Sequence, residues 1–247
     1  MPQTRAKDKQ GKSAKWQARR HEIVDTSAKV FAERGYHATS TTELCEANDI
    51  GKGALYYYIG SKEQLLAAIH DRVMDEVMLG ADRVSLAGGT PPEQLAMRGE
   101  ELLDVIFRFP DLVWVFLHDF PALTGKNAEM FRQRRRAYER RVEAVFQQGI
   151  ESGDFRPLDT RQAVTAWLGM HNYTYLSLRG GGHFSVKEVA KSYADIFVWG
   201  IATRDSCPTG GPAVPTWLPG WRARRWPASG ACPRASRRMG RARPRPS

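Results

Sequence analysis

Apolar positions recur three and four apart through most of the first 206 residues, and no stretch alternates convincingly at the period of a strand. The spacing predicts about nine helices. The first runs from Ala14 to Arg34, with Ile23, Ser27, Val30 and Phe31 on its buried face and Gly35 as its stop. Ser40 and Glu43 have the spacing of a capping box, and the short helix they open carries Leu44 and Ala47 one turn apart. Asn48-Asp49 follow, two residue types that tolerate a left-handed backbone. Gly51 then caps a third helix, Lys52 to Ile59, with Leu55 and Ile59 on one face. Gly60 ends it. Ser61, with Gln64 at the box position, opens a fourth that runs to about Gly80 on a stripe of Leu65, Leu66, Ile69, Val73 and Val77.

The second half reads the same way. Thr90-Pro91-Pro92-Glu93 combines an N-cap, a proline at the first helical position and a capping glutamate, and Leu95, Leu102, Leu103, Ile106 and Phe107 follow. Pro110 breaks that helix and Asp111 restarts a short one. Val113, Trp114, Val115, Phe116, Leu117 and Phe120 are apolar nearly all round it, which marks it as buried. A long helix from Asn127 to Glu151 has Phe131, Tyr138, Val142, Val145 and Phe146 on one side and six arginines between 132 and 141 on the remainder. Asp159 to Gln162 caps a helix through Leu178, and Ser185 to Glu188 caps the last one, which carries Val189, Tyr193, Ile196, Phe197 and Ile201. The fold class is all-α.

Two short helices joined by a turn of about four residues form a helix-turn-helix, and the second helix of that motif is the usual reader of the DNA major groove. Its polar positions suit the task. Lys52 starts the helix, where side chains reach base edges. Gly53 and Ala54 are small enough for close approach. Tyr56, Tyr57 and Tyr58 offer hydroxyls to phosphates; three successive residues cannot all face one core, so at least one ring is exposed. Lys62 lies in the first turn of the next helix, where backbone amides already favour a phosphate.

The run Asn48-Asp49-Ile50-Gly51-Lys52-Gly53-Ala54-Leu55-Tyr56-Tyr57-Tyr58-Ile59-Gly60-Ser61-Lys62-Glu63 resembles the DNA-binding domain of TetR-family repressors. Asp49 stands for that family's turn glycine, Gly51 for its capping Ser or Thr, and Ile59 for Phe. The resemblance implies that Thr42, Lys52, Ala54 and Tyr57 read bases while Ser40, Tyr56 and Lys62 hold phosphates. A looser resemblance covers about residues 110–201, through Gln148 to Pro157 and the arginine-rich helix before it. It is to ligand domains of TetR-family repressors of fatty-acid and sterol degradation, and it implies an acyl-CoA effector.

Charge divides the chain further. The formal net charge is +10, but residues 207–247 hold nine arginines and no lysine or acid, so residues 1–206 carry only +1. Four segments are therefore expected: a disordered basic arm at 1–13, a helix-turn-helix domain at 14–60, a helical ligand-binding and dimerisation domain at 61–206, and a disordered Arg/Pro-rich tail at 207–247. The arm reads equally as a phosphate tether or a solubilising terminus. The tail reads as a dispensable extension or as a basic arm that adds DNA affinity. No stretch approaches 18 apolar residues and no apolar signal segment opens the chain, so a cytoplasmic protein without membrane contact is expected. Cys45, Cys207 and Cys232 lack metal or redox spacing.

No hydrolase, metalloprotease or nucleotide-loop motif is present, and neither an enzyme nor a cofactor is expected. A mostly apolar pocket with a few polar groups that orient a ligand fits the second domain better. Its expected lining is Trp114, Leu117, His118, Phe120, Tyr138, Val142, Trp167, His171 and Tyr175, with Asn172 as a further polar candidate. The arginines at 132–141 are expected to be mostly solvated, with one or two at the pocket mouth. The reading is a one-component regulator that binds a palindromic operator as a homodimer through its last two helices and is released by a hydrophobic effector. The alternatives are a helical-bundle enzyme using His118, Asp119 and His171, and an architectural DNA-binding protein without effector.

Overall fold

The computed structural model describes residues 3–176 and 185–201. Nine α-helices account for most of them, and no β-strand occurs among the described residues. They are α1 (Gln3–Arg34), α2 (Thr41–Ala47), α3 (Lys52–Tyr58), α4 (Lys62–Ala87), α5 (Pro91–Arg108), α6 (Pro110–His118), α7 (Gly125–Ser152), α8 (Thr160–Asn172) and α9 (Val186–Ile201), with a 3-10 turn at Phe120–Ala122 after α6. The expectations for the 180–182 glycine loop and the 207–247 tail lie outside the described residues.

Local chemistry explains the first three helices. Gly35, at φ +86°, ends α1. Ser40 and Glu43 complete a reciprocal capping box: the Glu43 amide donates to Ser40 Oγ at 3.2 Å, and the Ser40 amide donates to Glu43 Oε2 at 2.7 Å. Arg34, in the last turn of α1, donates to the same carboxylate at 2.5 Å. The turn between α2 and α3 places Asp49 at φ +51°, the one non-glycine left-handed residue among the described residues. Asn48 anchors that turn. Its Nδ2 donates to Ser27 Oγ of α1 at 3.1 Å and to the Leu44 carbonyl at 2.8 Å, while Arg19 donates to its backbone carbonyl at 3.0 Å. Leu44, Leu55 and Ile59 are buried against Ile23, Val24, Ala28 and Phe31. Ala47, expected on that face, is exposed and Cys45 takes the buried place, because the helix ends after two turns and its last residue projects past α1.

α4 connects this unit to the rest. Leu65, Leu66, Ile69, Val73, Met74 and Val77 are buried along it, and it packs on α1, α5, α6 and α7. It runs past the expected stop at Gly80 to Ala87, and Gly88 at φ +70° ends it. Gly80 is a contact point instead: a Cβ there would lie 2.9 Å from Glu101 Oε2 and 3.0 Å from Glu101 Cβ, so glycine lets α4 approach α5.

Two further expectations are corrected. α1 starts at Gln3, ahead of the expected start at Ala14. The Arg, Lys, Gln and Ala ahead of Ala14 are good helix formers, and extending an existing helix needs no apolar stripe. α8 ends at Asn172 rather than Leu178. Tyr173 and Thr174 form a turn, where Thr174 bonds across to Tyr193 Oη at 3.1 Å, and helix resumes at Tyr175 and Leu176; Leu178 lies outside the described residues.

Asn48→Ala removes the link between α1 and the turn. It should destabilise the protein by about 1–3 kcal/mol by leaving buried partners unsatisfied, as read from chemical denaturation.

Candidate nucleic-acid interface and effector cavity

α3 presents its polar side outward. Lys52 and Gly53 are exposed, Ala54 is half-buried, and Tyr56 and Tyr57 are 56% and 70% exposed. Tyr58 turns inward, its ring 5.9 Å from that of Trp16 on α1. Of the three tyrosines, two are therefore available to a partner and one supports the helix. Thr42 and Lys52 line one cleft of about 350 Å3 between α2 and the start of α3, together with Glu46 and Asp49. Ser40 is exposed; its oxygen is engaged as a cap, but its hydroxyl proton remains to donate. Lys62 stands in the first turn of α4 with Nζ 4.5 Å from the centre of the Tyr36 ring. Burial lowers its pKa below the usual lysine range, and Glu43 works against that. Sequence reasoning missed Tyr36, since no local pattern brings position 36 beneath position 62.

The nine residues expected to line an effector pocket fall into three places. Leu117, Phe120 and Tyr138 line a narrow cleft of about 70 Å3. Its other walls are Met74 and Val77 of α4, Leu102 of α5, Phe116 of α6, Arg135 and Glu139 of α7, and Leu168 and Asn172 of α8. Among these, Asn172 had been singled out from the sequence, and Arg135 belongs to the arginine cluster expected to place one or two members at the pocket mouth. Trp114, His118 and Tyr175 form a separate aromatic stack nearer the surface. The Trp114 and His118 rings lie 3.9 Å apart, and Tyr175 Oη donates to His118 Nε2 at 3.1 Å. Val142, Trp167 and His171 belong to the packed core. They share a helix face with cleft residues, but their neighbours fill that side.

His171 illustrates this core packing. Its Nδ1–H donates to the Trp167 carbonyl at 2.8 Å, its ring lies 4.2 Å from that of Trp167, and Tyr193 meets it edge-on. Nε2 lies against Gly99 of α5, where a Cβ would come within 2.5 Å. His118 and His70 likewise donate to the carbonyl one turn earlier, at 2.8 Å each. His70 sits between Phe116 and Phe131, and its Nε2 is buried without a hydrogen-bond partner. The trio His118, Asp119 and His171 is thus not assembled: one histidine belongs to the outer stack and the other to the core. Among the described residues no group of three or more His, Cys, Asp or Glu could hold a metal ion.

The arginines of α7 between 132 and 141 are mostly exposed, and four of the six are also paired with carboxylates. Arg134 donates to Asp71 at 2.9 Å and Asp75 at 2.5 Å, and Arg141 donates to Asp82 at 2.5 Å, all on α4. Arg135, at the cleft, pairs with Glu139 at 3.0 Å. Just after α8, Tyr173 and Leu176 are exposed, and on α9 Ile196 is exposed by 66%. Phe197 packs inward on Phe146.

Residues 23–69 match the family described as bacterial regulatory proteins, tetR family, and residues 88–201 match the tetracyclin repressor-like C-terminal domain. The chain belongs to the TetR family: it is a DNA-binding regulator and not an enzyme. Its relatives include the HTH-type transcriptional repressor KstR2 of Rhodococcus jostii, 29% identical over 209 residues that cover 80% of this chain and 96% of the relative. Among solved structures, PfmR from Thermus thermophilus superimposes with a TM-score of 0.68 at 29% identity, over 73% of this chain and 99% of that one. AibR, solved with isovaleryl coenzyme A and operator DNA, does so with a TM-score of 0.66 at 28% identity, over 72% of this chain and 97% of that one. No helix among the described residues is long and apolar enough to cross a membrane.

Burial lowers the pKa of both His70 and His171 to about 4. Between that value and the ordinary one near 6.5, the unfolded chain binds more protons, so stability is full above about 6.5 and falls as pH drops toward 4. The slope should reach about 1.4 kcal/mol per pH unit for each histidine. Urea denaturation of wild type and of His70→Phe/His171→Phe between pH 5 and 7 should show this slope only in wild type; equal slopes would contradict it.

Proposed function

We propose that this protein is a cytoplasmic one-component repressor whose dimer binds a palindromic operator and is released by an apolar effector held in the α4–α8 cleft. Residues 14–60 form the reading unit, and residues 61–206 form the effector and dimer unit. One observation carries the reading. α4 begins in the turn that follows the recognition helix and also supplies Met74 and Val77 to the cleft wall. Filling the cleft therefore acts on the element that positions Lys62 and the helix-turn-helix above it.

Thr42, Lys52, Ala54 and Tyr57 contact bases in this scheme, with Gly53 allowing close approach. Ser40, Tyr56 and Lys62 hold the backbone. The exposed Tyr173, Leu176 and Ile196 supply an apolar face for a second copy, since one unit reads only one half-site and half-sites lie about 34–36 Å apart. An acyl-CoA is the favoured effector chemistry. AibR, at 28% identity, was solved with isovaleryl coenzyme A. The mostly apolar cleft with charged Arg135 and Glu139 among its walls suits an acyl group that carries a polar carrier outside.

Footprinting on DNA upstream of the protein's own gene tests the operator. On the protected site, Lys52→Ala should cost about 1–3 kcal/mol and blur one base position. Lys62→Ala should weaken all sequences alike and flatten the salt dependence. Unchanged affinity in both variants would remove the assignment.

Leu117→Trp, at the cleft wall, should give a repressor that holds operator but ignores effector. Fluorescence anisotropy with labelled operator, titrated with long-chain acyl-CoAs, fatty acids and sterol-like compounds, reads this directly. A 100-fold release in wild type corresponds to about 2.7 kcal/mol of coupling. Normal release of Leu117→Trp would place the effector elsewhere.

A further inference from the structure

Glu46 stands in the last turn of α2, one turn beyond Thr42 and on the same side of the helix. It is exposed, and among the described residues no hydrogen bond or ion pair engages its carboxylate. Glu43, one turn earlier, is by contrast held by the Ser40 amide and by Arg34. The shape of α2 therefore depends on Glu43 and not on Glu46.

The surroundings give the free carboxylate a direction. Glu46 lines the cleft between α2 and the start of α3 together with Thr42 and Lys52, the proposed base readers. Asp49 lines it as well, so two carboxylates share that cleft with one lysine. DNA carries a charge on every phosphate, and an acid on the reading face opposes binding to any sequence. It favours binding only where a base edge supplies a donor. In the major groove, guanine presents two acceptors, N7 and O6, while cytosine presents one donor, the N4 amino group. A lysine suits the first and a glutamate the second. The ammonium and the carboxylate of this cleft thus match the two halves of a G·C edge. Thr42, which can donate or accept, discriminates less.

We infer that Glu46 is a specificity-determining residue that accepts a hydrogen bond from the N4 amino group of a cytosine in each half-site. Its charge at the same time weakens binding wherever that donor is missing, so it acts against wrong sequences as well as for the right one. The inference rests on α3 reading the major groove from Lys52, and it adds a base that α2 selects.

The test selects binders of the full-length protein from a randomised duplex library, then measures single duplexes by anisotropy at one fixed salt concentration. Wild type should enrich a half-site with a cytosine whose replacement costs about tenfold in affinity. Glu46→Gln should move the preference at that position to adenine, the base that a glutamine side chain matches. Glu46→Ala should abolish the preference there and leave the other positions as they were. Both variants should bind unrelated DNA more tightly than wild type, because a repelling charge has gone. Asp49→Asn removes the other acid and keeps a residue that tolerates the left-handed turn; it should retain the cytosine. An unchanged preference in both Glu46 variants overturns the inference, and so does a change confined to a base other than cytosine. Loss of preference at all positions with a lowered melting temperature also overturns it, since that is the signature of a merely structural residue. If Lys52→Ala alters the enriched half-site and Glu46→Gln does not, the major-groove reading stands and only Glu46 is misassigned. If wild type enriches no sequence, the base-reading scheme is the error and Glu46 falls with it.

Discussion

α4 runs 26 residues without a break, and the two halves of the molecule meet along it. Its first turn caps onto Ser61 beside the recognition helix, its middle is buried on several sides, and its later part approaches α5 closely at Gly80, where a Cβ would meet Glu101 at 2.9–3.0 Å. Burying Leu65, Leu66 and Ile69 completely is worth about 1.5–3 kcal/mol each. That energy couples the domains, because the same helix contributes it to both cores. α6 adds a second connection: it packs on α1 as well as α4, so a wall of the cleft rests directly on the DNA-binding unit. The hydrogen bond from Thr124, in the loop after α6, to Glu63 in the first turn of α4 closes the circuit at 2.6 Å.

How much could be read from the chain follows from the range of each interaction. The helix-turn-helix was legible almost residue by residue. Its determinants are local: a capping box three residues wide, a left-handed Asp49, a glycine cap at Gly51 and a second cap at Ser61. The starts at Thr90 and Ser185 were legible for the same reason. Gly80 was misread because a glycine that ends a helix and a glycine that admits a neighbouring helix look the same in one dimension; Glu101, which distinguishes them, is 21 positions away. The cleft was legible only in outline. Periodicity says that Tyr138 and Val142 share a face of α7, but not that Leu168 leaves space beside the first while the second is packed solid.

The arginines of α7 show the same limit in electrostatic form. Arg134 and Arg141 looked like a solvated face, yet their carboxylates lie on α4, 59 and 63 positions away. Being substantially exposed, each pair contributes about 0–1 kcal/mol. Their joint effect is to fix how α4 and α7 lie alongside each other, since Asp71, Asp75 and Asp82 recur along one side of α4. The core resists separation of these helices strongly, and the ion pairs resist sliding only weakly.

That asymmetry bears on how the proposed effector would act. A ligand shifts a conformational equilibrium only by its differential affinity for the two states, so it needs a neighbouring arrangement that differs at the cleft and is cheap to reach. Opening the core is not cheap, but a small rotation or slide of α4 against α7 exchanges exposed ion pairs that water partly replaces. Met74 and Val77 lie 12 and 15 residues from Lys62, or about 18–22 Å along a straight helix. An unkinked rod carries a shift at the cleft to its own first turn.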